Sequence, residues 1–466
     1  MNARRALVAL ATILFLAILV ACGGSNSKIT TSTTSMGNVT TTISDPSTCT
    51  SPQGPYSHVY VTITDVQAST NANAGDGDSS FLDLTPSLKS APVQVDLLGT
   101  ATSQCFLATL GATTQIPPGS YQQFRVILLD NSASKPSGNK CGNDANCVVL
   151  GSDSSVHTLQ LSSESKTGIK IPSGQIAGGQ FTVGASDNKT INIDFDACAS
   201  IVVQGNGQYR LKPVLHAGEI STTTTAITGK LVDSITKAAI AGGKSVVVLE
   251  QKDSAGVDRM IMQTVPDATG SFTFCPVPAG TYDVVAVAVN GAGVAYAASI
   301  TTGVQPGSAL GGVFLSAETG TNTGPGSITG QVTTVKGAAG TVADISLSAL
   351  QVVGTSTFTI PLAQQSSATA SISTASGASC PVNTDCANYT LSLPAANPTV
   401  GAFNASGTTW APVSITFAYT VSGHAFVPSS GGTDDCTPAV VSTPSPITIT
   451  AGGSVAAPVL AFTGCQ

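Results

Sequence analysis

Ser132-Ala-Ser-Lys135, Lys166-Thr167-Gly168 and Ser186-Asp187-Asn188 reproduce three short motifs, S-x-x-K, K-T-G and S-D-N, used by serine acyl-transfer enzymes. In that chemistry the lysine sits one helical turn from a serine nucleophile and helps to deprotonate it. Ser132 lies instead in Asp-Asn-Ser-Ala-Ser-Lys-Pro-Ser-Gly, a loop composition with no helix to align the pair. K-T-G also precedes S-D-N, the reverse of the enzymes' order, so the triplets read as coincidence. Asp194 and Asp196 flank Phe195 and share one face of a predicted strand, where they could act as a carboxylate pair; a structural role is the preferred reading. Asp76-Gly-Asp78, and Asn139 with Asn143, Asp144 and Asn146, are oxygen-rich, but neither set has EF-hand spacing. Such residues ordinarily bond their own turns. H-E-x-x-H, G-x-S-x-G and the phosphate-binding G-x-x-x-x-G-K-[ST] are absent, and His58, His157, His216 and His424 are scattered singly. The expectation is a protein without catalytic residues, metal or cofactor.

One side chain has a clear chemical assignment. Arg4 and Arg5 precede an apolar run, Ala6 to Val20, that falls short of the about 20 residues of a membrane span. The run ends in Leu19-Val20-Ala21-Cys22-Gly23, which resembles the lipobox of bacterial lipoproteins. The resemblance implies cleavage between Ala21 and Cys22 and lipidation of the Cys22 thiol. Two or more acyl chains anchor stably where one is marginal. Residue 23 is Gly and not Asp, so the inner-membrane retention signal is missing and an outer-membrane or cell-surface location, reached by the general secretory route, is expected. The membrane is thus a partner through the anchor alone.

Besides Cys22 there are ten cysteines. In an oxidising compartment an even set reads as disulfides. Cys141 with Cys147, and Cys380 with Cys386, each bracket a short loop; Cys436 and Cys465 are natural partners near the C-terminus. The pairing of Cys49, Cys105, Cys198 and Cys275 stays open.

The elements that hold these groups follow from composition. Only 9% of residues are charged, against roughly 25% in an average domain. A net charge of −7 excludes the basic patch of a nucleic-acid binder. Helical bundles lack their raw material here, while Val, Ile, Thr, Ser, Gly and Pro in short runs predict an all-β chain of tandem β-sandwich domains. Residues 1–21 form the signal peptide, and 22–55, rich in Ser and Thr, read as a flexible tether.

A first folded block is expected over 56–220, with strands at Ser57–Val66, Val93–Leu98, Tyr121–Leu129, Thr190–Phe195 and Tyr209–Leu215. Ser57-to-Gln67, Ile116-Pro-Pro-Gly-Ser-Tyr-Gln-Gln-Phe-Arg-Val-Ile-Leu128, Thr167-to-Gly174, Asp194-Phe-Asp-Ala197 and Gly207-Gln-Tyr-Arg-Leu-Lys-Pro-Val214 resemble, in order, a domain of unknown function common in bacterial surface lipoproteins. That resemblance implies an all-β fold and a location, and no activity. A second block spans 221–318. Ile227-to-Asp233, Asp267-to-Phe274 and Val277-Pro-Ala-Gly-Thr-Tyr-Asp-to-Val289 resemble the carboxypeptidase regulatory-like domain, a sandwich of the transthyretin-like, carbohydrate-binding-like group. Phe272 and Phe274 would be core, and Tyr282 would start its strand as a tyrosine corner does. Lys237-Ala-Ala-Ile240 departs from the family's usual Gly-x-Pro-Ile turn.

The third block, 326–466, repeats Ile227-Thr-Gly-Lys-Leu as Ile328-Thr-Gly-Gln-Val, and Tyr389-to-Leu393 echoes Tyr282-to-Ala286. It reads as a diverged second copy, with strands at Val413–Val421, Ile447–Thr450 and Val459–Phe462 and a linker at Gly320–Gly324. Trp410, the only tryptophan, stands among small polar residues and is the candidate ligand-binding side chain, although a core position is the commoner fate of a large ring. The function expected is a non-enzymatic binding, adhesive or structural envelope module, with a glycan or another envelope protein as partner. The alternatives are an accessory or catalytic component of a secreted hydrolase system, and a pure spacer.

Overall fold

The computed structural model describes residues 35–465 except 46–54, 76, 100–106, 163, 198, 204–206, 221–225, 241–243, 254, 336–342, 364–368, 405, 414–417 and 427–434. Residues 36–466 form one compact unit. Its regular structure is strand, with three short 3-10 turns among the described residues. The all-β expectation holds, and multiple sheets stack as tandem sandwiches.

Two sheets enclose the first core. One has four strands in the order Leu215–Ile220, Asn188–Phe195, Gly37–Ser44, Ala108–Ile116. The other is nine-stranded and centred on Tyr56–Ser69, which pairs along one side with Cys147–Leu150 and then Gln123–Leu128, and on the other side with Val93–Asp96. The Gly37–Ser44 strand corrects the tether assignment of residues 22–55. It lies inside its sheet, parallel to Asn188–Phe195 in the register Asn38↔Asn188 to Ser44↔Asp194. Only Val39 and Ile43 are large and apolar, so the segment resembles a linker in composition. Its threonines are nevertheless β-branched strand formers, and the hydroxyls of Thr40 and Thr42 find partners in the sheet: Thr42 Oγ1 donates to Asn192 Oδ1 at 3.0 Å.

The middle sandwich pairs Ile227–Asp233 antiparallel with Ser271–Phe274 and parallel with Ala309–Leu315. Facing them are Lys244–Lys252, Val257–Thr264, Tyr282–Val289 and Ser299–Val304. These four do not end at the block's edge. They form the middle of an eleven-stranded sheet that third-block strands extend on both sides. Ser356–Ile360 adds to Val257–Thr264, and Thr399–Ala402 adds to Ser299–Val304, both parallel. Each open edge is thereby paired, which removes a site of non-specific strand addition.

Both faces of this shared sheet are covered. Val247, Leu249, Val284 and Ala286 belong to the middle core. Val246, Val248, Val285 and Val287 belong to the third-block core with Ile328, Leu347 and Leu391. Continuous runs such as Val246-Val-Val-Leu249 are what a doubly covered strand needs.

The third block repeats the middle block's arrangement around its first strand. Gly326–Val335 pairs antiparallel with Thr384–Leu393 and parallel with Ser454–Ala456 and Leu460–Phe462. Gly229 stands opposite Phe272, and Gly330 opposite Tyr389. A Cβ on Gly229 would come within 2.4 Å of the Phe272 ring, and one on Gly330 within 2.4 Å of the Tyr389 hydroxyl and 2.5 Å of its ring. Tyr389 therefore occupies the place of Phe272, not that of Tyr282. The other third-block expectations shift as well. The strand drawn at Val413–Val421 runs from Thr420 to Phe426, and Ile447 makes only an isolated bridge to Tyr419. The Gly320–Gly324 linker is pinned, since Thr323 and Gly324 accept backbone bonds from Ala295 and Gly452.

These two glycines give a first prediction. Gly229→Ala and Gly330→Ala should each destabilise the protein by about 1–3 kcal/mol, the usual cost of overpacking a filled site. Urea titration reads the loss, with an unchanged slope; a neutral result at both sites would contradict the close ring–backbone contact.

Candidate functional site

Asp194 and Asp196 project from the end of the Asn188–Phe195 strand, and parallel pairing brings Asp45 beside them from the far end of the chain. Asp45 Oδ1 accepts the Ala197 amide at 3.1 Å, Asp194 Oδ1 accepts Ser44 Oγ at 3.0 Å, and Asp196 Oδ1 accepts the Ala199 amide at 2.9 Å. All three carboxyls are buried, at 4–5% exposure. Asp45 Oδ2 and Asp194 Oδ2 have no hydrogen-bond partner. Burial first, and then the charges of Asp196 and Asp194, hold the Asp45 carboxyl well above the usual range; burial and Asp196 do the same to Asp194. Asp45 and Asp194 keep protons at a pH where exposed aspartates have lost them.

A middle-block side chain closes this site. Gln263 Nε2 donates to Asp196 Oδ2 at 2.6 Å. Nearby, the Ala279 amide donates to the Glu219 carbonyl at 3.1 Å, and Gly218 lies so close to Pro278 that a Cβ would meet its ring at 2.5 Å. The carboxylates thus sit at a seam between the first and middle blocks. A cleft at this seam is lined by Asn192, Asp194, His216, Met262, Pro276 and Pro278, and holds about 20 Å³. That is room for roughly one water and no substrate. His216 faces Asp194 across the strand pair. Burial pushes its imidazole down to about 4, so it is neutral at physiological pH, and its Nδ1 has no partner. The groups could exchange a proton, but the cleft has no room for a substrate.

The first block also reaches the third. Arg210 forms a two-pronged ion pair with Asp344 on the Asp344–Val353 strand, its Nη1 2.6 Å from Oδ2, and also bonds Ser373 Oγ. Lys212 Nζ donates to Ser346 Oγ at 2.6 Å. Burial pushes this ammonium down to about 8, with Asp344 acting against the shift. Asp194, Asp196, Arg210 and Lys212 all lie in the segments that carried the first block's family resemblance. Asp196, Arg210 and Lys212 bond across block boundaries.

The other candidates fall into place around these seams. Trp410 is half-buried and packs on the middle core; its Nε1 donates to Thr301 Oγ1 at 3.0 Å, and its ring meets Phe314 edge to face at 5.4 Å. Lys237 Nζ lies 4.2 Å from the Phe314 ring centre, beside exposed Ile235. Disulfides join Cys141 to Cys147, Cys380 to Cys386 and Cys436 to Cys465. Cys275 is also disulfide-bonded. Ala21, Cys22, Cys49, Cys105 and Cys198 lie outside the described residues. Ser132 Oγ donates to Asp130 within an exposed turn, as a loop serine does. Asn139 bonds the Gly142 and Asp144 carbonyls, and Asn146 bonds the Leu129 carbonyl, so these amides are held by backbone. Asp76 lies outside the described residues, while Asp78 accepts the Ser80 amide. Among the described residues no group of three or more His, Cys, Asp or Glu side chains is arranged to hold a metal ion.

Sequence reasoning found the Asp194–Asp196 pair and missed Asp45, His216 and Gln263. Period-2 spacing flags the pair, whereas Asp45 joins it through sheet pairing across about 150 residues, His216 through pairing with the neighbouring strand, and Gln263 across the block boundary.

Residues 36–213 match the family described as "Domain of unknown function (DUF4382)". The N-terminal block is therefore a domain of that kind, beginning ahead of the expected boundary at 56 and including the Gly37–Ser44 strand. The chain matches no curated protein. Among solved structures it is similar to a leucine-rich repeat protein from Bacteroides thetaiotaomicron VPI-5482, at 10% identity and a TM-score of 0.21, covering 53% of this chain and 27% of that one. The Bacillus anthracis TIE protein is similar at 8% identity and a TM-score of 0.16, covering 92% of this chain and 50% of that one. The shaft pilin SpaA from Lactobacillus rhamnosus GG follows at 11% identity and a TM-score of 0.17, covering 61% of this chain and 98% of that one. The chain spans half or less of the first two proteins' length, and at such TM-scores none of the three informs function.

Proposed function

We propose that the protein is a lipid-anchored envelope module with a binding or structural role and no catalytic one. The observation that supports this most is where its reactive groups lie. Asp45, Asp194, Asp196, Arg210 and Lys212 are all buried, and Asp196, Arg210 and Lys212 bond across the joins between blocks. Substrates of any size have no access to them. Anchoring would be through Cys22 after cleavage at Ala21, at the outer membrane or cell surface, with the low surface charge suiting display outside the cell. The middle block fits the carboxypeptidase regulatory-like reading in one particular: Tyr282 Oη donates to the Pro278 carbonyl at 2.8 Å, fixing the turn before its strand.

The ligand class we favour is a neutral glycan, with the half-exposed Trp410–Phe314 pair as its stacking surface. A glycan and envelope-protein binding screen with the soluble Cys22→Ser form tests the reading. Cys22→Ser should move the protein from the membrane to the soluble fraction, and Trp410→Ala should weaken glycan binding at least tenfold. Continued membrane retention would remove the anchor, and binding unaffected by Trp410→Ala would remove that surface. Turnover of a bound glycan would favour the hydrolase-system role; no binding at all would favour a spacer.

A further inference from the structure

The join between the middle and third blocks carries its own carboxyl cluster. Glu250, on Lys244–Lys252, stands directly opposite Asp283, on Tyr282–Val289. Two residues along, Lys252 stands opposite Asp258, on Val257–Thr264. Alternation puts Glu250 on the face of Val246 and Val248, and Asp283 on that of Val285 and Val287, which is the face packed on the third-block core. Glu250 is fully buried, Asp258 is 1% exposed, and Glu250 Oε1 has no hydrogen-bond partner.

Third-block backbone closes over this cluster. Ser356–Ile360 pairs parallel with Val257–Thr264 at Val257↔Thr357 and Asp258↔Phe358. The Thr359 amide donates to Glu250 Oε2 at 3.3 Å, and Thr359 Oγ1 donates to the Asp258 carbonyl at 2.8 Å. Lys252 Nζ reaches Ser356 Oγ at 3.0 Å. The remaining charges nearby are Arg259 and Asp253, which pair with each other at 2.9 Å. Ser356–Ile360 and Ser299–Val304 contribute no titratable side chain, although the neighbouring Gly303 amide donates to Asp283.

We propose that Glu250, Asp258 and Asp283 make this join an acid-held latch, closed while the carboxyls retain protons and loosened when all three ionise. Three carboxylates under one two-residue strand pairing cannot all be charged without strong repulsion, which the nearby Lys252 offsets only in part. Asp258 Oδ2, like Glu250 Oε1, is buried with no hydrogen-bond partner. Burial, and then Asp283, raise Asp258 to about 7; burial and Asp258 hold Glu250 well above the usual range.

The sign follows from linkage. A carboxyl whose folded pKa lies above its unfolded value of about 4 stabilises the closed join fully below that value, and the stabilisation is lost as pH rises through about 7. Hydrogen–deuterium exchange on the full chain, corrected for intrinsic exchange rates, reads the latch. Protection across Val257–Arg259 and Thr357–Thr359 should fall between about tenfold and a hundredfold from pH 5 to pH 8, while Gly326–Val335 changes by less than about threefold. Asp258→Asn, which cannot ionise, should flatten that fall, and Glu250→Gln should reduce it. Equal protection at the two pH values in the unaltered chain overturns the proposal whether or not the variants fold. So does a fall that both variants leave intact.

Discussion

Arg210→Ala is expected to cost about 3 kcal/mol or more, among the largest losses available to a single substitution outside the cores. The Asp344 side chain is wholly buried and that of Arg210 nearly so, at 0% and 6% exposure. Removing the guanidinium leaves a carboxylate in a dry seam with Ser373 and without its two-pronged partner. Breaking a buried pair this way typically costs about 3–5 kcal/mol, because the remaining charge stays desolvated. Lys212 sets the lower end of that range here. Its ammonium already feels Asp344, and it would take up part of the lost charge. Arg210→Met combined with Asp344→Leu should recover most of the loss, since an apolar pair carries no desolvation cost. Urea titration of the three forms checks both statements. A single variant costing under about 1 kcal/mol would mean that the pair is hydrated and the seam open.

The same seams show which parts of this protein can be read along a sequence. Alternation exposed the Tyr56–Ser69 strand, the Phe272 and Phe274 core positions and the Asp194–Asp196 pair, because each depends on neighbours two residues away. The strand Tyr282–Val289 also stood where its apolar run predicts. What that run meant was harder to see. Val284-Val-Ala-Val-Ala-Val289 does not alternate, which is the signature of a strand covered on both faces, and the second cover is the third block. Composition misled at Gly37–Ser44, where threonine was counted as solvent-loving although its Cβ branching and its bond to Asn192 make it strand material. Trp410 was legible as exceptional, but its bond to Thr301 depends on how a third-block hairpin lies on the middle core. The contacts that join blocks, such as Gln263 with Asp196 and Arg210 with Ser373, pair residues far apart in the chain, and no local pattern carries such information.

Loss of the Cys436–Cys465 bridge, in the Cys436→Ser/Cys465→Ser form, should cost about 3.5 kcal/mol, since the bond closes a loop with a sequence separation of 29. The same loop-closure reasoning gives about 2.4 kcal/mol for Cys141–Cys147 and Cys380–Cys386, each with a separation of 6. Position adds to the difference. Cys436 lies on Asp435–Ser442, the edge strand of the eleven-stranded sheet, and Cys465 follows Leu460–Phe462, which pairs with Gly326–Val335 in the opposing sheet. The bridge therefore ties the two layers of the third sandwich at its outer margin, where Asp435–Ser442 has one strand partner among the described residues and exposes Val440. Without it that edge should release first and offer unpaired backbone to other molecules. The double serine form is expected to show a lower urea midpoint than the Cys141→Ser/Cys147→Ser form, and concentration-dependent association that the latter lacks. Equal midpoints would show that loop length does not govern these bridges. A lower midpoint without association would place the loss in the unfolded chain alone, leaving the edge strand held by Phe462 and its neighbours in the core.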